Sequence, residues 1–247
     1  MQNVNDSYFD GHYKQVWKSL IPAELTPKEV DFMIRRFQLG PGSRVLDLLC
    51  GYGRHALALG AAGIAVTAVD NLPDYINELQ LKASADNLPI QALRAEVLGF
   101  EAEGKFDLAI IMGNSLNFFG RSQAIGLLRR IAAHLTAGGQ LLINTWSLAE
   151  IAIRSFSARG WTEESGVKHL SEARYLFQPT RIEYDSTFLF PDGRTEQKKA
   201  IDYIFSLAEM ETLLAEAGFS LTETWSIPGK KPFALGDPRA YLVAEKT

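Results

Sequence analysis

Hydrophobic positions follow two alternating rhythms between Arg44 and Trp146. The nearly continuous apolar runs "RVLDLL", "AVTAVD", "IQALRAEV", "FDLAIIM" and "QLLINTW" are candidate strands. Between them, apolar residues recur at helical spacing around His55 to Ala62, Pro73 to Ser84 and Ser122 to Leu135. Strands apolar on both sides need cover on both sides, so the alternation predicts a parallel sheet with helices on each face. The last of these helices is expected to stop at Gly138-Gly139, a helix C-terminal glycine signal. Upstream, Thr26-Pro27-Lys28-Glu29 reads as a capping box with proline at the first helical position. Val30, Met33, Ile34 and Phe37 follow at helical spacing, up to Gly40-Pro41-Gly42.

After Trp146 the rhythm changes. Ser147 to Glu150 is placed to start a helix, and "EARYLFQ", "RIEYDSTFLF" and "TEQKKAIDYIF" are β-rich. The last two meet at Pro191-Asp192-Gly193, a hairpin signal. An antiparallel insertion is therefore expected over 159–206. Ser206-x-x-Glu209 is a second capping box, leading Met210, Leu213, Leu214 and Ala217 to Gly218, before "FSLTETW" and "YLVAEK" as a terminal strand pair. Residues 1–247 are expected to form one domain, with 1–40 as an N-terminal helical cap.

Composition narrows the chemistry. A chain of 247 residues and 27.4 kDa can bury one substantial core. A net charge of −4 and a pI near 5.6 supply no basic field, which argues against nucleic acid as partner and favours a small molecule. With Cys50 as the one cysteine there is no intramolecular disulfide or thiolate cluster, and the His residues show no metal-ligand spacing. A reduced, cytoplasmic protein without metal is expected. The N-terminus has no basic stretch followed by an apolar one, and no run of about 18 apolar residues occurs, so neither export signal nor membrane span is expected. Oligomeric state stays open.

Asp47 and Asp70 end the first and second predicted strands, the sheet edge where ligands sit in open α/β folds. Gly51 and Gly53 lie between them. A glycine turn entering a helix usually holds an anion. A carboxylate beside it points instead to a ligand with a positive end. Asp70 follows the turn by the spacing at which an acid meets ribose hydroxyls, and Glu96, beyond the third strand, can accept from an exocyclic amine such as adenine's. Gly51 to Ala56 also fits the dinucleotide pattern G-x-G-x-x-G/A, so an NAD-type or flavin oxidoreductase is an alternative, opposed by the sign of Asp47. Cys50 reads as a packing residue of the turn, and His55 as structural or cofactor-orienting rather than an acid-base group. Tyr8, Phe9, His12, Tyr13 and Trp17 form an aromatic cluster that either packs on the sheet edge or closes over a ligand.

The stretch "VLDLLCGYG", supported by "AVTAVD", "FDLAIIMGN" and "LTAGGQLLINTW", resembles the class I S-adenosylmethionine-dependent methyltransferases from Val45 to Trp146. The likeness is greatest to small-molecule members with a β-rich insertion before the last helix. It implies a Rossmann-like α/β fold: a seven-stranded, mostly parallel sheet with helices on both faces, the last strand antiparallel, plus the antiparallel insertion. It implies S-adenosylmethionine as cofactor and S-adenosylhomocysteine as product. Asp47 would then face the methionine ammonium, Gly51 and Gly53 would admit backbone to the ligand, and Asp70 would hold the ribose diol. Asn71 would lie against the adenine, Glu96 near its amino group with the Val97 amide close by, and Gly113 would offer a carbonyl to the ammonium. Leu49 stands where the family has its first glycine, and Leu72 where it often has a serine cap. "GNSLNFF" lacks the Asn/Asp-Pro-Pro-aromatic signature of methyltransferases acting on base amino groups. Acceptor contacts are expected from Tyr8, Tyr13, Asn114 and Trp146, with Arg174 and Tyr175 from an insertion folded over the carboxyl edge of the sheet. Asn114, His55 and Tyr13 are the catalytic candidates, and a dedicated base is optional. A module that binds the cofactor without chemistry is the second alternative. The acceptor, and whether O, N or C is methylated, stay open.

Overall fold

The computed structural model describes residues 3–11, 13–164 and 166–247. After helices α1 (Tyr13–Leu20) and α2 (Leu25–Arg36), the alternating region builds β1 (Arg44–Leu48), α3 (Arg54–Ala61), β2 (Ala65–Asp70), α4 (Pro73–Ala85) and β3 (Ile90–Arg94). It continues with β4 (Phe106–Ile111), α5 (Arg121–His134) and β5 (Leu135–Thr145). Then come α6 (Ala149–Ser155) and the insertion strands β6 (Arg159–Glu164), β7 (Val167–Phe177), β8 (Thr180–Leu189) and β9 (Thr195–Tyr203). The chain closes with α7 (Leu207–Glu216), β10 (Phe219–Ile227), β11 (Lys231–Pro232) and β12 (Ala240–Lys246).

The main sheet has the order β11-β10-β12-β5-β4-β1-β2-β3. Strands β1 to β5 run parallel, and β12 lies antiparallel between β5 and β10. The two-residue β11 adds an eighth strand to the seven expected. Alternate residues of the central strands face opposite layers, as the pleat requires. Leu46, Leu48, Ala109 and Ile111 pack with α5 and α7, whereas Val45, Leu108 and Ile110 pack with α2, α3 and α4. The insertion is a separate antiparallel sheet, β6-β7-β8-β9, turned at Pro191-Asp192-Gly193 where Phe190 and Arg194 bond across the hairpin. Its inner face packs Ala173 and Ile182 against Ala152 of α6. The Ser206 and Glu209 capping box forms as predicted.

Two local signals are used differently. Helix α5 ends at His134, and Gly138-Gly139 lie inside β5, where the register against β4 shifts between Leu135 and Gln140. Gly138, at φ +69, belongs to this bulge and stops no helix. The expected capping box at Thr26 does not form, because α2 starts at Leu25 after Glu24, which makes no side-chain cap. Thr26 Oγ1 instead accepts from Arg54 Nη1 at 2.8 Å.

Glu29 is 3% exposed and holds three elements together. Its Oε2 accepts from Arg54 Nη1 at 2.6 Å and lies 2.9 Å from His55 Nε2, and its Oε1 accepts from Tyr241 Oη at 2.7 Å. Burial alone would raise its pKa, but the bonds and charges of His55 and Arg54 outweigh that and bring it to about 2. Burial, reinforced by Arg54, lowers His55. A neutral imidazole with its proton on Nε2 donates to the ionised Glu29, which joins α2, the start of α3 and β12.

Gly53, at φ +77, caps the start of α3. A Cβ there would come within 2.5 Å of the buried Leu79 side chain on α4, so helix packing requires glycine at this position, which lies outside the cavity lining. Gly53→Val is accordingly expected to destabilise the protein by about 2 to 5 kcal/mol, combining left-handed strain with overpacking. Glu29→Ala is expected to cost on the order of 3 to 5 kcal/mol, since it strands Arg54 beside a buried histidine. Chemical denaturation at neutral pH checks both. Because folding depresses Glu29, its contribution is present above the ordinary glutamate range and is lost as pH falls from about 4.5 towards 2. The Ala variant should therefore lose its disadvantage in acid.

Candidate active site

A cavity of about 330 Å³ opens where β1, β2, β4 and β5 end. Its floor comes from the loops after these strands, and its roof from the N-terminal segment and the inner face of β7, β8 and β9. Asn5, 2% exposed, ties the two halves of the roof. Its side chain donates to the Ile201 carbonyl at 2.9 Å and accepts from the Ile201 amide at 2.8 Å, completing the edge of β9 as a further strand would.

Asp47 closes the floor. It is 1% exposed, and its Oδ2 has no hydrogen-bond partner among the described residues. Burial raises its pKa to about 7, against the opposing pull of Arg54 and of a bond from the Ala56 amide, and Asp70 adds to the rise. A buried carboxylate oxygen without a donor is costly, and a cation in the cavity would relieve it. Asp70 differs in being fully engaged. Its Oδ2 accepts from the Gly51 amide at 2.9 Å and its Oδ1 from the Leu72 amide at 3.0 Å, so it shapes the glycine turn while lining the cavity. The latter bond takes up the amide of Leu72 just before α4, while the first-turn amides of α4 have no side-chain cap.

Gly51, at φ +56, has nothing within 4 Å of its missing Cβ and leaves open space over the turn. Leu49 takes a left-handed φ of +54. The backbone thus keeps the conformation that favours glycine there, at a strain of roughly 1 to 3 kcal/mol, while the leucine lines the cavity and packs on the core. Gly113 and Asn71 also line it. Asn71 Nδ2 donates to Asp6 Oδ1 at 2.8 Å and reaches Glu96 Oε1 at 3.4 Å, linking the N-terminal segment to the floor. Glu96 and Val97 are outside the lining; Glu96 meets Asn71, and Val97 packs in the core.

On the acceptor side, Asn114 is 1% exposed and committed to structure. Its Oδ1 accepts from the Trp146 and Ser147 amides at 3.0 Å each, and its Nδ2 donates to Ser147 Oγ at 2.9 Å. It locks the loops after β4 and β5 together while lining the cavity. His55 lines the cavity, but its Nε2 is occupied by Glu29. Tyr8, Tyr13 and Trp17 form a continuous aromatic layer, with ring centroids 4.8 Å and 6.3 Å apart, that meets Trp146 at 6.1 Å. His12 lies outside the described residues.

The expected insertion contacts are corrected. Arg174 faces outward and pairs with Glu183 and Asp185, and Tyr175 packs on Phe156 and Phe177 at the far end of the sheet. Neither reaches the cavity. The insertion contributes His169, Ser171, Tyr184, Ser186, Ala200 and Asp202 instead. Ser171 pairs with Ser186, and Tyr184 with Ala200, so these residues share one face. A strand shows opposite faces at successive residues, so Arg174 falls on the outer face, whereas Tyr175 shares the inner face but sits beyond the cavity. The alternation in "IEYDSTF" and "AIDY" was the available signal. Among the described residues no group of three or more His, Cys, Asp or Glu is arranged to hold a metal ion, and no helix is long and apolar enough to cross a membrane.

Comparison with known proteins agrees with this geometry. Residues 45–139 match the family described as a methyltransferase domain. The chain is 26% identical to a putative methyltransferase of Geobacillus sp. (strain WCH70), over 98% of this chain and 95% of that one. An S-adenosylmethionine-dependent methyltransferase from Clostridium acetobutylicum ATCC 824 shares the fold with a TM-score of 0.83 and 17% identity, over 95% of this chain and 97% of that one. S-adenosylmethionine-bound CalS10, an amino pentose methyltransferase from Micromonospora echinaspora involved in calicheamicin biosynthesis, does so with a TM-score of 0.73 and 19% identity, over 96% and 98%. With the acids at the ends of β1 and β2 and the antiparallel β12 inserted beside β5, residues 45–139 carry a methyltransferase domain and the chain as a whole has the fold of S-adenosylmethionine-dependent methyltransferases.

Proposed function

We propose that this enzyme methylates a small molecule seated between the floor of the cavity and the β7–β9 face of the insertion, with 159–206 acting as an acceptor-side cap. The observation that carries the cofactor's placement is the unpartnered Asp47 Oδ2 beside the open Gly51 turn. Asp47 would take the ammonium, Asp70 the ribose diol, Gly51 would leave room for the ligand's approach, and the Gly113 carbonyl would add a second acceptor for the ammonium. Bound S-adenosylmethionine supplies an electrophilic methyl on a sulfonium. What this chain adds is alignment of the acceptor with that methyl and exclusion of water by Tyr8, Tyr13, Trp17 and Trp146. No step of such a transfer requires a metal. Similarity to an amino pentose methyltransferase supports a small acceptor, and the net charge of −4 supports it over nucleic acid. The lone cysteine accords with a cytoplasmic setting. An NAD-type oxidoreductase is disfavoured because a pyrophosphate would be brought to the turn beside Asp47.

Asp47 gives this reading a pH signature. Its raised pKa means that its contribution to the stability of the ligand-free protein is full below the usual aspartate range and is lost as pH rises from about 4 through about 7. An ammonium, whose own pKa is about 7.7 to 8.0, favours the ionised carboxylate, so binding is expected to release protons near pH 6 and to tighten between pH 6 and 7. Calorimetry with S-adenosylhomocysteine in buffers of different ionisation enthalpy measures this. Asp47→Asn should bind more weakly and release no proton, and proton uptake by the wild type would contradict the assignment. Asp70→Ala is expected to lose about 1 to 3 kcal/mol of the same affinity and to melt earlier, because the Gly51 and Leu72 amides lose their acceptor. Unchanged affinity with lowered stability would reduce Asp70 to a turn-former.

A further inference from the structure

The roof holds a carboxylate that the reading above leaves without a task. Asp202, on the inner face of β9, is 9% exposed, and its Oδ2 accepts from Ser147 Oγ at 3.3 Å. That serine accepts in turn from Asn114 Nδ2, so the loops after β4 and β5 hold Asp202 at the edge where the acceptor enters. Tyr8 and Tyr13 from the N-terminal segment and Tyr184 from β8 stand close enough to feel its charge, which, after burial, raises each phenol. His169, on β7, is lowered by burial and stays neutral, 3.0 Å from Ser186 Oγ. Among the described lining residues, the Lys or Arg side chain present is Arg54, and it is spent on Glu29 and Thr26.

An acceptor beneath the roof therefore meets the Asp202 carboxylate, with Asp6 engaged by Asn71, several aromatic faces and no available cation. That chemistry selects positive charge, since a carboxylate pairs with an ammonium and aromatic faces attract it. A phosphate or carboxylate placed there would be repelled by Asp202. We infer that the methyl acceptor is an amine, and that Asp202 binds its ammonium and takes the proton that must leave before nitrogen can attack. The inference rests on the reading that a small acceptor occupies the space beneath the roof. The bound ammonium passes one proton to the Asp202 carboxylate and becomes the neutral amine with its lone pair exposed. That pair forms the N–C bond as the C–S bond breaks and its electrons return to sulfur. The products are a neutral thioether and a methylated ammonium. Burial, opposed by the Ser147 and Asn114 bonds, holds the Asp202 pKa at about 7, which suits proton pick-up near neutrality.

The test uses the full chain saturated with S-adenosylhomocysteine and titrated calorimetrically at pH 7 with matched probes: benzylamine against benzyl alcohol, cyclohexylamine against cyclohexanol, and glucosamine against glucose. At least one amine is expected to bind tenfold or more tightly than its alcohol. Asp202→Asn, which keeps the shape and the Ser147 contact, is expected to abolish that preference while affinity for S-adenosylhomocysteine stays within twofold. Methyl transfer to the preferred amine should fall at least tenfold in the variant and lose its rise with pH. Equal binding of amines and alcohols by the wild type, or no amine binding at all, overturns the inference even if the variant fails to fold. Failure of the wild type to bind S-adenosylhomocysteine would bring down the cofactor placement first and the inference with it, whereas binding without amine preference removes the inference alone.

Discussion

The Glu29 carboxylate sets the geometry on which the cavity floor depends. By accepting from Arg54, His55 and Tyr241 it fixes the start of α3 against α2 and β12, and with it the turn from Cys50 to Gly53. Tyr241 brings in the antiparallel strand next to β5, so the same acid couples the glycine turn to the far half of the sheet. The ion pair is almost completely desolvated, and such pairs are stable only when their bonding capacity is filled. Three donors fill it here.

Asp47 is the counterpart. It lies near the same Arg54, yet among the described residues no donor meets its Oδ2, and its pKa moves in the opposite direction. Two acids with opposite shifts in one region divide the labour between holding the fold and awaiting a ligand. Asp70 lies between these extremes, engaged by two backbone amides and still lining the cavity. Burying the Asp47 Oδ2 without a donor among the described residues costs free energy that a positive ligand would recover.

The roof works by different means. The N-terminal segment is stitched to β9 by Asn5, to the floor by Asp6 through Asn71, and to the loop after β4 by Asn3, which donates to the Phe118 carbonyl at 3.0 Å. Polar ties at its margins and stacked aromatic rings at its centre give a cover that excludes water without a large apolar core of its own. The insertion packs on α6 through Ala152, Ala173 and Ile182 and presents its inner face to the cavity.

Much of the floor was legible in the sequence, because strand-end acids, glycines and helical periodicity are local signals that survive without tertiary information. The β-α alternation from Arg44 to Trp146 decided the parallel sheet, and Asp47 and Asp70 marked the sheet edge at which the cavity opens. What stayed hidden depends on contacts between residues far apart in the chain. Thr26 and Glu29 formed a valid capping pattern, but their side chains satisfy Arg54 and His55, whose donors are buried in the fold and have greater need of acceptors. Gly53 reads as a ligand-facing glycine, and only the fold packs Leu79 over it. Arg174 and Asp202 differ in whether strand pairing turns them outward or inward, and a shift of one residue exchanges the two faces. Sequence determined which segments become strands and helices, since that follows from local spacing. Tertiary structure alone decided which side chains enter the cavity, since register and packing across more than a hundred residues set that choice.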